Sequence, residues 1–242
     1  MEFAVIIPAR YKSTRLPGKP LVEILGKSLV RRVWEKCVEA VGPKCVYIAT
    51  DDSRISQHCE EHGMQCILTP ESCLTGTDRI WEASKVLETQ LLINVQGDEP
   101  LLDPADITKV IEEAIQNPDT VICGMCEITD EKDFRSPTVP KVVCDQNNFL
   151  LYMSRAAIPT SKALTFEKAY KQVCIYGLPK HKLEIFGKHQ AKTPIESIED
   201  IELLRFIEMG HRIKMVEVSS SSVAVDVPED VARVEGILSC EQ

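Results

Sequence analysis

The sequence predicts an α/β fold in which flanking helices cover a mostly parallel central sheet. Three observations carry that prediction. Apolar runs bounded by turn residues, as expected of strands buried on both faces, occur at 3–7 (FAVII), 44–50 (KCVYIAT) and 91–96 (LLINVQ). Between them lie segments with apolar residues at helical spacing, such as Leu29, Val33, Cys37 and Ala40. Strand and helix alternate from the start of the chain, an order that forces right-handed crossovers and hence parallel pairing.

The composition sets outer bounds. A chain of 242 residues supports one large domain with a substantial core, and 44% apolar with 27% charged residues is ordinary for a soluble protein. No apolar run approaches the roughly 18 residues of a membrane span. The opening MEFAVIIPAR lacks the basic n-region and cleavage site of a signal peptide, which points to the cytoplasm. A net charge of −9 argues against nucleic acid or an anionic membrane as partner. Ten cysteines without an export signal, several inside apolar runs (Cys66, Cys123, Cys144), read as buried thiols and not disulfides. The lone C-x-x-C of Cys123 and Cys126 lies on an expected strand and reads as structural.

The first strand, 3–7, is expected to stop at Pro8, which has no N–H for a sheet ladder. A loop with Arg10, Arg15 and Lys19 follows, with Ser13, Thr14 and Gly18 between them. A cationic loop at the end of a parallel strand lies where open α/β folds place ligands, and a polyphosphate would relieve the mutual repulsion. A solvated basic loop is the plain alternative. A helix over 28–40, a strand over 44–50, a helix over 53–62 ended by Gly63, and a strand over 65–68 come next, with Asp51 and Asp52 as helix-cap residues. Within the second helix, His58-Cys59-Glu60-Glu61-His62 matches an H-x-x-E-H zinc pattern. The helix ends at once and no separate third ligand is marked, so a polar outer face is the expected reading.

Thr75-Gly76-Thr77-Asp78-Arg79 opens a helix to about Val86, and its free N–H groups could hold a base edge or a phosphate. The strand 91–96 empties into Gly97-Asp98-Glu99-Pro100. Asp98 therefore falls at the sheet edge that carries the cationic loop. A carboxylate beside a polyphosphate calls for a mediating cation, and Mg²⁺ fits, whereas a turn before a helix over 106–115 is the plainer reading of Asp98 alone. A strand over 120–128, a polar connection over 128–136, and strands over 141–144 and 149–153 about an Asp/Asn turn follow. Residues 160–171 read as a loop or as an arm meeting a second subunit. Then come a strand over 172–178, one helix over 195–209 with Ile198, Ile201, Leu204 and Ile207 on its apolar face, and a strand over 212–218. After four serines, 219–222, the run 223–226 is expected to rejoin the sheet. Pro228, Glu229 and Asp230 start a last helix. Asp226 reads as a cap-region residue or as a second metal carboxylate, the cap being plainer. No repeat and no dividing linker is present, so 1–242 reads as a single domain.

In order along the chain, IPARYKSTRLPGKPL, TGTDR, VQGDEP, SRAAIP, IYG and AVDVPED resemble the 3-deoxy-manno-octulosonate (Kdo) cytidylyltransferases. The resemblance spans essentially the whole chain and implies the nucleotide-diphospho-sugar transferase fold. It also implies transfer of CMP from CTP to the anomeric hydroxyl of a 3-deoxy-ulosonic acid, with Mg²⁺ and release of pyrophosphate, for lipopolysaccharide or capsule synthesis. A homodimer is implied too, with 130–190 as a sugar-binding and dimerisation subregion. Carried over by motif, Ala9, Arg10, Arg15, Lys19, Thr75, Gly76 and Arg79 would bind the nucleotide, while Asp98 and Asp226 would bind the metal. Gln96, Arg155, Gln172, Tyr176 and Glu202 would face the sugar acid, and Arg10, Lys19, Asp98 and Asp226 would carry catalysis. The chain departs from the family where Gln172 replaces a histidine and Leu203 a glutamine, with Thr75 for serine a milder change. The two larger changes fall on the sugar side and leave open an amino-substituted Kdo or a sialic-acid-like acceptor.

Overall fold

The structure, a computed structural model, describes residues 2–13, 15–219 and 223–240; Thr14 of the cationic loop and residues 220–222 of the serine run lie outside them. In chain order the elements are β1 (Phe3–Ala9), β2 (Glu23–Ile24), β3 (Lys27–Ser28), α1 (Leu29–Val41), β4 (Val46–Thr50), α2 (Ser53–Glu61) and β5 (Gln65–Leu68). They continue with α3 (Gly76–Ser84), β6 (Leu91–Val95), α4 (Pro104–Gln116), β7 (Val121–Glu127), α5 (Glu131–Arg135), β8 (Lys141–Cys144) and β9 (Leu150–Ser154). The remainder are β10 (Tyr170–Pro179), α6 (Lys180–Lys188), α7 (Pro194–Glu199), α8 (Leu203–Glu208), β11 (Ile213–Glu217) and α9 (Pro228–Cys240).

The main sheet runs β11-β7-β10-β6-β1-β4-β5, with the β8–β9 hairpin joined to it through β10. β1 pairs in parallel with β4 and β6, and β5 with β4, as the alternating pattern requires. β10 is antiparallel to both of its main neighbours, β6 and β7. The two-residue period of β1 sends Val5 and Ile7 into a core with Val33, Cys37 and Val110, while Ala4 and Ile6 enter another with Ile80, Leu183 and Phe206. Helices thus cover both faces.

Four expectations need correction. Pro8 does not end β1, which continues to Ala9. Pairing with β6 ends at Ile6, so Pro8 is paired only on the β4 side and its missing N–H leaves no gap in a two-sided ladder. The single helix over 195–209 is two short ones, because Asp200 adopts a left-handed conformation with φ 50°. Ile198, counted on the apolar face, is 83% exposed. Residues 223–227 join no strand. Finally, α5 forms inside the supposed polar connection, capped by Asp130, and α6 occupies residues assigned to no element from the sequence.

Candidate active site

A cavity of about 790 Å³ opens at the C-terminal ends of β1 and β6. The cationic loop, the start of α3, β10 and the segment before α9 wall it. Every residue expected from the sequence to bind nucleotide, metal or sugar lines it, whereas Leu203, marked as a sugar-side departure, does not. In a chain of net charge −9, its lining holds nine Lys or Arg against seven Asp or Glu, a local reversal that suits an anionic ligand.

On one side Lys19 sits between two carboxylates, its Nζ 2.8 Å from Asp98 Oδ2 and 2.9 Å from Asp226 Oδ1. Arg15 Nη2 donates to the same Asp226 oxygen at 3.0 Å. Gly18, at φ 68°, turns the loop into a single 3₁₀ turn, Lys19–Leu21, that aims the lysine inward. Asp226 is brought there by a backbone bond, Val225 N–H to the Asp98 carbonyl at 2.8 Å. The Asp226 carboxylate accepts from Lys19 and Arg15 and from no helix N–H among the described residues, while the Asp230 carboxylate accepts the N–H groups of Asp226 and Val227. The Asp226 side chain is thereby left to the cations. Burial works against both charges, yet the pairing wins. Lys19 is held above its ordinary value, and Asp226 below its own. Arg10 lines the cavity and donates no hydrogen bond within the described residues, so its guanidinium is available to a ligand.

The Thr75 loop, expected to frame the nucleotide, is fixed by a reciprocal cap. Thr75 Oγ1 accepts the Asp78 N–H, and the Asp78 carboxylate accepts the Thr75 N–H at 2.9 Å. Gly76 lies so close to Gln96 that a Cβ would stand 2.9 Å from Nε2, so only glycine leaves this wall its shape. Arg79 is buried and donates to Thr69 Oγ1 at 2.5 Å. Ala9 closes the end of β1.

Opposite, Glu202 is held through both oxygens: Gln96 Nε2 donates to one at 2.9 Å and the Thr77 N–H to the other at 3.0 Å. Burial raises its carboxyl above the usual range against those hydrogen bonds. Gln172 Nε2 donates to the Tyr176 hydroxyl at 2.7 Å, and burial raises that phenol well above its ordinary value.

Two sugar-side expectations change. Leu203 is 0% exposed, packs in the core and does not line the cavity. It follows Glu202 at the start of α8, and the helical turn that leaves Glu202 at the cavity points Leu203 into the core. Arg155 lines the cavity, yet its guanidinium donates to the carbonyls of Glu199, Pro137 and Asp200, and its N–H to the Glu199 carboxylate. It braces the loops that carry Pro137, Glu199 and Asp200, with only its remaining N–H groups left for a ligand.

The sequence reading missed Arg205, which is 0% exposed and binds Asp78 and Glu196 together at 2.7–2.8 Å. Through Asp78 it holds the Thr75 loop, and through α8 it holds Glu202, so one buried cation ties the two halves of the cavity. An arginine between Leu204 and Phe206 was the available signal.

The profile of the family described as Cytidylyltransferase matches residues 4–213. The chain belongs to the cytidylyltransferase family. Among relatives of this cytidylyltransferase, the 3-deoxy-manno-octulosonate cytidylyltransferase of Syntrophotalea carbinolica is 39% identical, over 98% of this chain and 99% of that one. The 8-amino-3,8-dideoxy-manno-octulosonate cytidylyltransferase of Shewanella pealeana is 38% identical over all of both chains. Among solved structures, CMP:2-keto-3-deoxy-manno-octonic acid synthetase complexed with CTP superposes with a TM-score of 0.92 at 31% identity, each chain fully covered. The nucleotidyltransferase fold inferred from the motifs is therefore the fold of this chain.

Proposed function

We propose that this cytidylyltransferase transfers CMP from CTP to the anomeric hydroxyl of a 3-deoxy-ulosonic acid, Kdo in the first instance, and releases pyrophosphate. The observation that carries the reading is the pairing of Lys19 with Asp98 and Asp226 across one cavity from Glu202 and Gln96. One side can hold charge on a triphosphate, and the other offers hydrogen-bond partners to a polyol. Asp98 and Asp226 also fit Mg²⁺, since their all-oxygen donors already converge on one cation. Bound there, the metal would neutralise phosphate oxygens and make the acceptor hydroxyl more acidic. Arg10 and Arg15 would hold the triphosphate. Lys19, kept protonated by its carboxylates, would meet the charge that develops on the departing pyrophosphate. Glu202 and Gln172 would orient sugar hydroxyls for in-line attack on the α-phosphorus.

A second acceptor, 8-amino-Kdo, is supported by the near-equal identity to relatives named for each sugar and by Gln172 in place of histidine. No helix among the described residues is long and apolar enough to cross a membrane. With CTP as the proposed donor, we place the reaction in the cytoplasm, supplying lipopolysaccharide or capsule synthesis. The 130–190 segment exposes Leu151 and Leu164 and is the proposed homodimer surface, which sedimentation would check. Asp98→Asn tests the site: pyrophosphate release should vanish while the circular dichroism stays native, and retained turnover would remove Asp98 from the mechanism.

A further inference from the structure

We propose that His58, Glu61 and His62, at the C-terminal end of α2, form a binding site for a transition-metal dication, Zn²⁺ in the first instance. None of the three lines the active-site cavity. Each offers one ligand atom, and the three atoms lie within 4.8 Å of one another. The early end of the helix argued against a metal from the sequence, yet Glu61 and the C-cap His62, three and four residues on from His58, still lie beside it. Glu61 itself is the third ligand.

Hydrogen bonds already orient the donors. His62 Nδ1 lies 2.9 Å from the His58 carbonyl oxygen, which can only accept, so Nδ1 carries the proton and Nε2 keeps its lone pair. His58 Nε2 lies 2.7 Å from Ser28 Oγ. When Nε2–H donates there, Nδ1 keeps its lone pair. Gln57 Nε2 donates to Glu61 Oε1 at 2.9 Å and leaves Oε2 open. Each ligand is thus held through its other polar atom by an outer partner, as in protein metal sites generally. The helix carbonyl end adds negative potential suited to a cation.

Two imidazoles and one carboxylate select Zn²⁺, Ni²⁺ or Cu²⁺ over Mg²⁺, unlike the all-oxygen pair Asp98 and Asp226. Three protein ligands leave the fourth tetrahedral position to water. Ligand atoms in a closed site stand roughly 3.4 Å apart at ordinary Zn–N and Zn–O lengths, so closure needs only side-chain rotation at a solvent-facing helix end.

The test is calorimetric titration of ZnCl₂ into the chelator-treated full chain, with excess Mg²⁺ present to occupy the active-site carboxylates. One equivalent should bind the native protein. His62→Ala should weaken it by more than about tenfold, and Ser28→Ala, which removes an outer partner, by about tenfold. Added Zn²⁺ should raise the melting temperature of the native protein and not of His62→Ala. His62→Ala should keep the native circular dichroism and pyrophosphate release. Equal Zn²⁺ affinity in native and His62→Ala proteins, or no binding that survives excess Mg²⁺, would overturn the proposal.

Discussion

Replacing Lys19 with methionine removes the ammonium shared by Asp98 and Asp226 while keeping most of the side-chain volume. The two carboxylate oxygens, each within 2.9 Å of Nζ, are no more than about 6 Å apart. At that distance two like charges repel by roughly 3 kcal/mol at an effective dielectric of 20. At the proposed Mg²⁺ site a divalent cation entering the native protein would displace the ammonium, whose charge-assisted hydrogen bonds contribute about 1.5–3 kcal/mol each. Without it, Mg²⁺ should bind the nucleotide-free protein about tenfold more tightly, the lower end applying because both carboxylates are partly solvated. Turnover should fall by about 10²–10³, because one fixed positive charge on the leaving pyrophosphate is gone. Calorimetry without CTP measures the first effect and pyrophosphate release the second. The opposite signs matter: Lys19→Met with unchanged Mg²⁺ affinity and unchanged turnover would refute the shared-cation account.

Two further perturbations probe the same framework. Arg205→Met leaves Asp78 and Glu196 buried without their cation, so unfolding stability should fall by about 3–5 kcal/mol and the melting temperature by about 10 °C; an unchanged melting temperature would contradict the buried-cation tie. For Asp226, burial raises its carboxyl, but Lys19 and Arg15 outweigh that and set it below its ordinary value. Its contribution to stability should therefore be complete above about pH 4 and disappear as the pH falls through the depressed folded value. Melting temperatures followed from pH 5 to pH 2 should decline less steeply in Asp226→Asn than in the native protein.

What the sequence made legible was local. The apolar runs of β1, β4 and β6 and the helix start at Thr75 to Arg79 depend on neighbours along the chain, and they appear where the pattern puts them. What it hid was tertiary. Nothing local marks β10 as antiparallel, because its apolar run suits either direction. The break at Asp200 defeats a helical spacing that otherwise continues through Ile201 and Leu204. Within the site, the motif match set Arg155 toward the sugar acid, and it could not show that the carbonyls of three distant residues take up much of its guanidinium. Leu203 was assigned to the sugar by alignment with a motif, although one step along α8 turns it into the core. Of the two sugar-side departures, that leaves Gln172, bonded to Tyr176, as the one that touches the cavity.

The account is tested most directly by pyrophosphate release from CTP and Mg²⁺ with Kdo, 8-amino-Kdo and a nine-carbon sialic acid offered separately, and with UTP in place of CTP. It predicts release with CTP and an eight-carbon 3-deoxy-ulosonic acid, and far less with UTP. Release with none of the three acids, or with UTP as readily as CTP, would contradict it.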